Sequence, residues 1–140
     1  MAKLFRFKCP KCGRVFDIPG NGPCPKCGTL VTLPPDAIIH IYRMGSPLGA
    51  ARRWKLFLNE IPLGYLWNME TVVIPVPYGH YVVRSEAVRK RFTEVANSVP
   101  IEFDLTPNCR FAYLKAHNRP TYNSSTIILE PALPEEMPPV

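Results

Sequence analysis

The sequence predicts a mostly-β protein, with a small four-cysteine unit at its start and an antiparallel β-sandwich after it. Three observations predict this. Seventeen prolines in 140 residues lie mostly at apparent element ends, and proline removes a backbone donor and clashes inside a helix, so long helices are disfavoured. From Ile38 onward, short alternating segments recur at intervals of roughly ten residues, the spacing of a sandwich or barrel. The pentapeptide Cys-Pro-Lys-Cys-Gly occurs twice, at Cys9–Gly13 and Cys24–Gly28, with eleven residues between Cys12 and Cys24. Hydrophobic residues make up 46% of the chain and charged ones 20%, which excludes wholesale disorder.

Residues 1–33 form the first expected unit. Phe5 and Phe7 lead into the first cysteine pair on a short strand, and Arg14-Val15-Phe16-Asp17 leaves it on another. Ile18-Pro19-Gly20-Asn21-Gly22-Pro23 is turn chemistry that returns the chain to the second pair. Thr29–Leu33 reads as the outgoing strand. A unit this small buries too little apolar surface to fold unaided, so a metal or a covalent staple is expected on energetic grounds.

Pro34-Pro35-Asp36 marks the boundary to a second unit, 34–130. Its expected strands are Ile38–Arg43, Arg53–Leu58, Leu63–Trp67, Thr71–Val76, His80–Ser85, Val99–Leu105, Arg110–Ala116 and Thr126–Leu129. Trp54, Leu56 and Leu58 share one face, and Ile101, Phe103 and Leu105 share another against Glu102 and Asp104. Asn59-Glu60 and Val76-Pro77-Tyr78-Gly79 supply turns. Glu86–Asn97 breaks the pattern: Val88, Phe92, Val95 and Ala96 sit at helical spacing, so one short helix near 86–97 competes with an irregular strand pair. Residues 131–140, rich in Pro and Glu, read as a flexible tail.

The cysteine pattern carries the chemistry. A two-residue gap lets both sulfurs of a pair reach one ion, so Cys9, Cys12, Cys24 and Cys27 are the expected ligands of one tetrahedral metal. The glycine after each second cysteine permits the positive φ of a tight knuckle whose N–H groups face the sulfurs. Four thiolates fill the tetrahedron and leave no place for water, so the site reads as structural rather than hydrolytic. A disulfide framework is the competing reading, favoured only by a secretory route.

Phe7-Lys-Cys-Pro-Lys-Cys-Gly-Arg-Val-Phe followed by Cys24-Pro-Lys-Cys-Gly resembles the zinc-ribbon modules of small bacterial proteins, over about a quarter of the chain. The resemblance implies one structural Zn2+. The same residues are similar to the rubredoxin-like module of rubrerythrins, which implies iron as the minority alternative and electron transfer as its function. Trp54-Lys-Leu-Phe-Leu-Asn-Glu-Ile-Pro-Leu-Gly-Tyr-Leu, with Val76-Pro-Tyr-Gly-His-Tyr-Val-Val-Arg, is similar in rhythm to PEGA-type and carboxypeptidase-regulatory-like β-sandwich domains, though the Pro-Glu-Gly-Ala signature is missing. That likeness implies a scaffolding or interaction module without catalytic machinery.

The formal charge of +6 falls to about +4 once four thiolates and one divalent ion contribute −2. Basic residues gather at Lys3, Arg6, Lys8, Lys11, Arg14 and Lys26 against a lone Asp17 in the first unit, and again at Arg52-Arg53 and Arg89-Lys90-Arg91. Lys3, Arg6, Lys8, Arg52, Arg53, Arg89, Lys90 and Arg91 are therefore the expected surface for a nucleic acid or another partner. Trp54, Trp67 and the tyrosines are expected in the core or in hairpins, unless several are exposed together as a carbohydrate platform. Cys109, followed by Arg110, reads as a bystander thiol with reactivity as the alternative. His40, His80 and His117 fit no ligand spacing.

The sequence lacks G-x-S-x-G, P-loop, H-E-x-x-H and dinucleotide-fold glycine patterns, so the expectation is a non-enzymatic protein that docks a protein partner. The opening residues contain no apolar signal core and the chain no run of about 18 apolar residues. The expected location is the cytoplasm, with no membrane contact.

Overall fold

A computed structural model describes residues 4–45, 53–88, 95–120 and 125–137. The first module is two small antiparallel hairpins. β1 (Phe5–Lys8) pairs with β2 (Val15–Ile18), and β3 (Gly22–Pro23) pairs with β4 (Leu30–Val31). Each hairpin turns on one of the two pentapeptides. Cys9, Ile18, Cys24 and Val31 form its buried cluster, with Phe7, Cys12, Phe16 and Leu33 packed on it. Three of those eight residues are cysteines of the repeat, so little of this core is independent of them.

Among the described residues nine strands follow: β5 (Ala37–Arg43), β6 (Trp54–Leu58), β7 (Ile61–Leu66), β8 (Thr71–Val76), β9 (Gly79–Val88), β10 (Val95–Asn97), β11 (Ile101–Leu105), β12 (Phe111–Pro120) and β13 (Ser125–Pro131). One sheet has the order β13-β12-β5-β8. The other has the order β10-β9-β6-β7, with β11 also on β9. Alternation puts Ile39, Ile41, Val72, Ile74, Leu114 and Ala116 of the first sheet into one core with Trp54, Leu56, Leu66, Val83 and Leu105 of the second. The mostly-β, sandwiched architecture follows from that period-two burial. One pair, β5 with β12, is parallel; the alternation that locates strands is blind to their relative direction.

The short helix expected near 86–97 is not formed by the described residues of that segment. Glu86–Val88 completes β9, and Val95–Asn97 pairs back on it as Val95↔Val88, Ala96↔Ala87 and Asn97↔Glu86; residues 89–94 lie outside the described residues. The physical reason is continuity. Tyr81, Val83, Ser85 and Ala87 are buried alternately along β9, and Ala87 faces Trp54 across β6. Core burial of that face outweighs the weak helical spacing.

Local chemistry explains the joints. Asn59 and Glu60 both take positive φ, 49° and 65°, the signature of a two-residue hairpin turn whose twist matches its strands. Glu60 is held there by Arg84, whose Nε lies 2.8 Å from its Oε1. Pro62 and Pro75 lie in β7 and β8, the outer strands of their sheets, where a missing N–H breaks no ladder. Arg43 is buried between the sheets, donating to Leu66 O at 2.9 Å and covering the Trp54 ring at 3.7 Å. After β13, a 3-10 turn at Pro134–Glu136 is tied back to β12 by Lys115, 2.9 Å from Glu136 Oε1. No helix among the described residues is long and apolar enough to cross a membrane.

Candidate metal centre

The two knuckles are copies of one backbone solution. Cys9 N–H donates to Arg14 O at 2.9 Å and Gly13 N–H to Cys9 O at 2.9 Å; Cys24 N–H donates to Thr29 O at 2.8 Å and Gly28 N–H to Cys24 O at 3.0 Å. Gly13 and Gly28 share φ of 76°, a conformation in which a Cβ crowds the following carbonyl. Repeated sequence has produced repeated geometry, and the two loops face each other.

The four sulfurs of Cys9, Cys12, Cys24 and Cys27 lie within 4.8 Å of one another. Across the knuckles Cys9 Sγ is 3.7 Å from Cys27 Sγ, and Cys12 Sγ is 3.6 Å from Cys24 Sγ. A regular tetrahedron of sulfurs bound at about 2.3 Å has edges of about 3.8 Å, so the cluster has the size an ion requires. A disulfide needs about 2.05 Å, and all five cysteines are free. The covalent-staple alternative is therefore not what the structure contains. Among the described residues, these four are the group of His, Cys, Asp and Glu side chains gathered closely enough to hold a metal.

Electrostatics fit the same role. The Cys12 N–H draws the Cys9 thiol down, and the Thr29 hydroxyl, 3.3 Å from Cys27 Sγ, leads in drawing Cys27 down to about 6. Cys12 is also pulled down by the Arg14 N–H, but burial and the three neighbouring sulfurs outweigh it and push the thiol up to about 11. The loop groups thus favour the thiolate at Cys9 and Cys27, while burial and the neighbouring sulfurs oppose it at Cys12. That conflict is what a divalent ion resolves. Cys9 and Cys24 are buried, Cys12 is half-buried and Cys27 is exposed.

The expected basic residues separate. Lys8, Lys11, Arg14 and Lys26 are exposed around the knuckles. Arg53 is exposed with its guanidinium 4.4 Å over the Tyr65 ring. Lys3, Arg52, Arg89, Lys90 and Arg91 lie outside the described residues. Arg6 corrects the surface expectation: it is buried, 7% exposed. Its Nε is 2.8 Å from Asp17 Oδ1, its Nη1 donates to Leu63 O at 3.0 Å and Tyr65 O at 2.8 Å, and its Nη2 is 3.7 Å from Glu70. Strand alternation does turn Arg6 away from Phe5 and Phe7, but the sandwich occupies that side. Asp17, the lone acid of the module and the cross-strand neighbour of Arg6, is the signal that could have revealed this pairing; Glu70 and the two carbonyls gave none.

The remaining candidates stand apart. Cys109 is exposed in a tight turn closed by Thr106 N–H to Cys109 O and its reciprocal bond. His80 pairs with Asp104 at 2.8 Å and His117 with Glu130 at 3.4 Å. His40 stacks on Tyr113 at 4.7 Å and 15°; of the aromatic residues expected in the core or in hairpins, Trp54 is buried and Trp67 and Tyr78 are exposed.

Fold and centre together define a mostly-β protein with a four-cysteine cluster placed to hold a metal ion. No protein-family model, curated protein or solved structure matches the chain. The likeness of the middle segment to PEGA-type domains gains no support from these comparisons, and the zinc-ribbon likeness rests on the four cysteines.

Proposed function

We infer that the chain is a non-enzymatic interaction protein in which one structural Zn2+ folds the first module against a β-sandwich, and the two together dock a protein partner. The observation that carries this reading is the cross-knuckle spacing of 3.6 and 3.7 Å, which commits all four positions of a tetrahedron to protein sulfur. A filled tetrahedron supports folding, and offers no open position for water or substrate. Zinc is preferred to iron because closing a fold asks nothing of a redox-active ion, although four thiolates accept either.

Elemental analysis of the purified full chain tests the metal: about one equivalent of zinc in a colourless protein is expected. An iron-loaded, red protein would replace this reading with electron transfer. Less than about half an equivalent of any metal, with the first module still folded after chelation, would remove the structural role.

Nucleic-acid binding is the second reading, favoured by a specific observation. Lys8, Lys11, Arg14 and Lys26 are exposed and make no ion pair among the described residues, because Asp17 is taken by Arg6. If they contact phosphates, log K falls with log salt at roughly −0.7 per neutralised phosphate on single strands. No binding at low salt eliminates it.

A further inference from the structure

β7 and β8 are the outer strands of their two sheets, and the same hairpin lies against both. Ile61–Leu66 reads IPLGYL and Thr71–Val76 reads TVVIPV, with no charge in either. Uncharged outer strands are templates for pairing with another chain, and folded proteins guard them with lysine, proline or a covering segment. One proline per strand is partial protection. The rest comes from the first module: β1 lies against β8 and β7, and β2 against β7. Val15 packs on the sandwich core. Arg6 occupies two outward carbonyls of β7, at Leu63 and Tyr65, where a pairing strand would otherwise donate. On β8 every residue from Val72 to Val76 is buried, on both faces, which is unusual for an outer strand. The covering hairpin draws its own stability from a cluster in which the ligands Cys9, Cys12 and Cys24 are members.

Resting on the structural role inferred for the metal, we propose that the β1–β2 hairpin is a metal-held cover, and that loss of the ion opens β7 and β8 to pairing with a second copy of this chain. A second copy suits these strands. Two identical uncharged strands meet without like-charge repulsion, and antiparallel pairing about a two-fold axis uses one surface twice.

The test compares the full chain loaded with Zn2+ and stripped by a chelator, by hydrogen exchange and light-scattering mass. On stripping, exchange over 5–31, 61–66 and 71–76 is expected to rise by at least about tenfold, and the mass to at least double with rising concentration, reverting when Zn2+ is restored. The double variant Ile61→Lys/Thr71→Lys, which charges both strands, is expected to stay at the loaded mass after stripping. Arg6→Gln is expected to raise exchange over 61–66 with zinc content unchanged. If 5–31 opens but the mass is constant, the cover is overturned and the structural metal stands. If 5–31 keeps its protection after stripping, both are lost. Equal association by the charged double variant places the contact on another surface and overturns the proposal.

Discussion

Two glycines and one arginine set the behaviour of the first module at the residue scale. Gly13 and Gly28 hold φ of 76°. A Cβ built at Gly28 meets nothing within 4 Å, and one at Gly13 only the end of the Lys8 side chain at 4.0 Å. The cost of Gly13→Ala or Gly28→Ala is therefore conformational rather than steric, about 1 kcal/mol each. The expected readouts are a lower melting temperature of the module and faster loss of metal to a chelator, in equal degree for the two variants because the knuckles are duplicates. A variant that surrenders metal no faster than the parent would show that this backbone geometry is not what retains the ion. Arg6 belongs to another class of residue, since its five donors in a planar fork reach a carboxylate and two carbonyls together.

At the scale of elements, the end of the chain shows how a short segment is fastened. Glu136 accepts from Leu133 N–H at 2.7 Å and from Lys115 at 2.9 Å. The Leu133 N–H, then Lys115, hold the Glu136 carboxyl below its ordinary 4.5. Glu136, followed by burial's smaller opposition and Glu130, holds Lys115 above its ordinary 10.5. A depressed carboxyl contributes stability that is present above its unfolded value and lost as pH falls through the folded one. A raised amine contributes stability that is present below its unfolded value and lost as pH rises through the folded one. The 3-10 turn is thus expected to stay closed across neutral pH and to loosen in acid as pH falls below the ordinary carboxyl value of 4.5, with a second loosening in base as pH rises above the ordinary amine value of 10.5. Amide exchange or proteolysis over 133–137 at pH 3 and pH 7 checks this, and Lys115→Met should loosen the turn at neutral pH as well. Identical protection at both pH values would mean that backbone packing, not these charges, fastens it.

For the whole molecule the inequality of the two cores matters most. Among the described residues, nineteen buried ones form the sandwich cluster and four form that of the first module, so the two cannot share one stability. Stripping the metal is expected to abolish the unfolding transition of residues 5–31 while the sandwich keeps a cooperative transition of its own. Losing Arg6 and Val15 from its margin should lower that second midpoint by several degrees, at about 4–8 °C per kcal/mol for a domain of this size. Calorimetry of loaded and stripped protein reads both events. A single transition that shifts intact would show the modules to be one cooperative unit.

Much of the site was legible in the letters because metal-binding knuckles are local. Ligand type, gap and the glycine that follows occupy five consecutive residues, and nothing distant alters their geometry. Strand positions were legible for a similar reason: burial of alternate residues leaves a period of two wherever one face meets a core, as in Trp54, Leu56 and Leu58. Pairing partners carry no such trace. Whether β12 meets β5 parallel, or whether Glu86–Val88 continues a strand, depends on residues dozens of positions away. Arg6 shows the limit most sharply. Its place in the strand was readable, but its burial depends on carbonyls of Leu63 and Tyr65, and a carbonyl looks the same behind every side chain. The sequence by itself determined the four-cysteine centre and the β character, because both arise from short-range chemistry. Only the tertiary structure decided that the first module covers the open margin of the sandwich, because that contact is made between backbone and side chains brought together by folding.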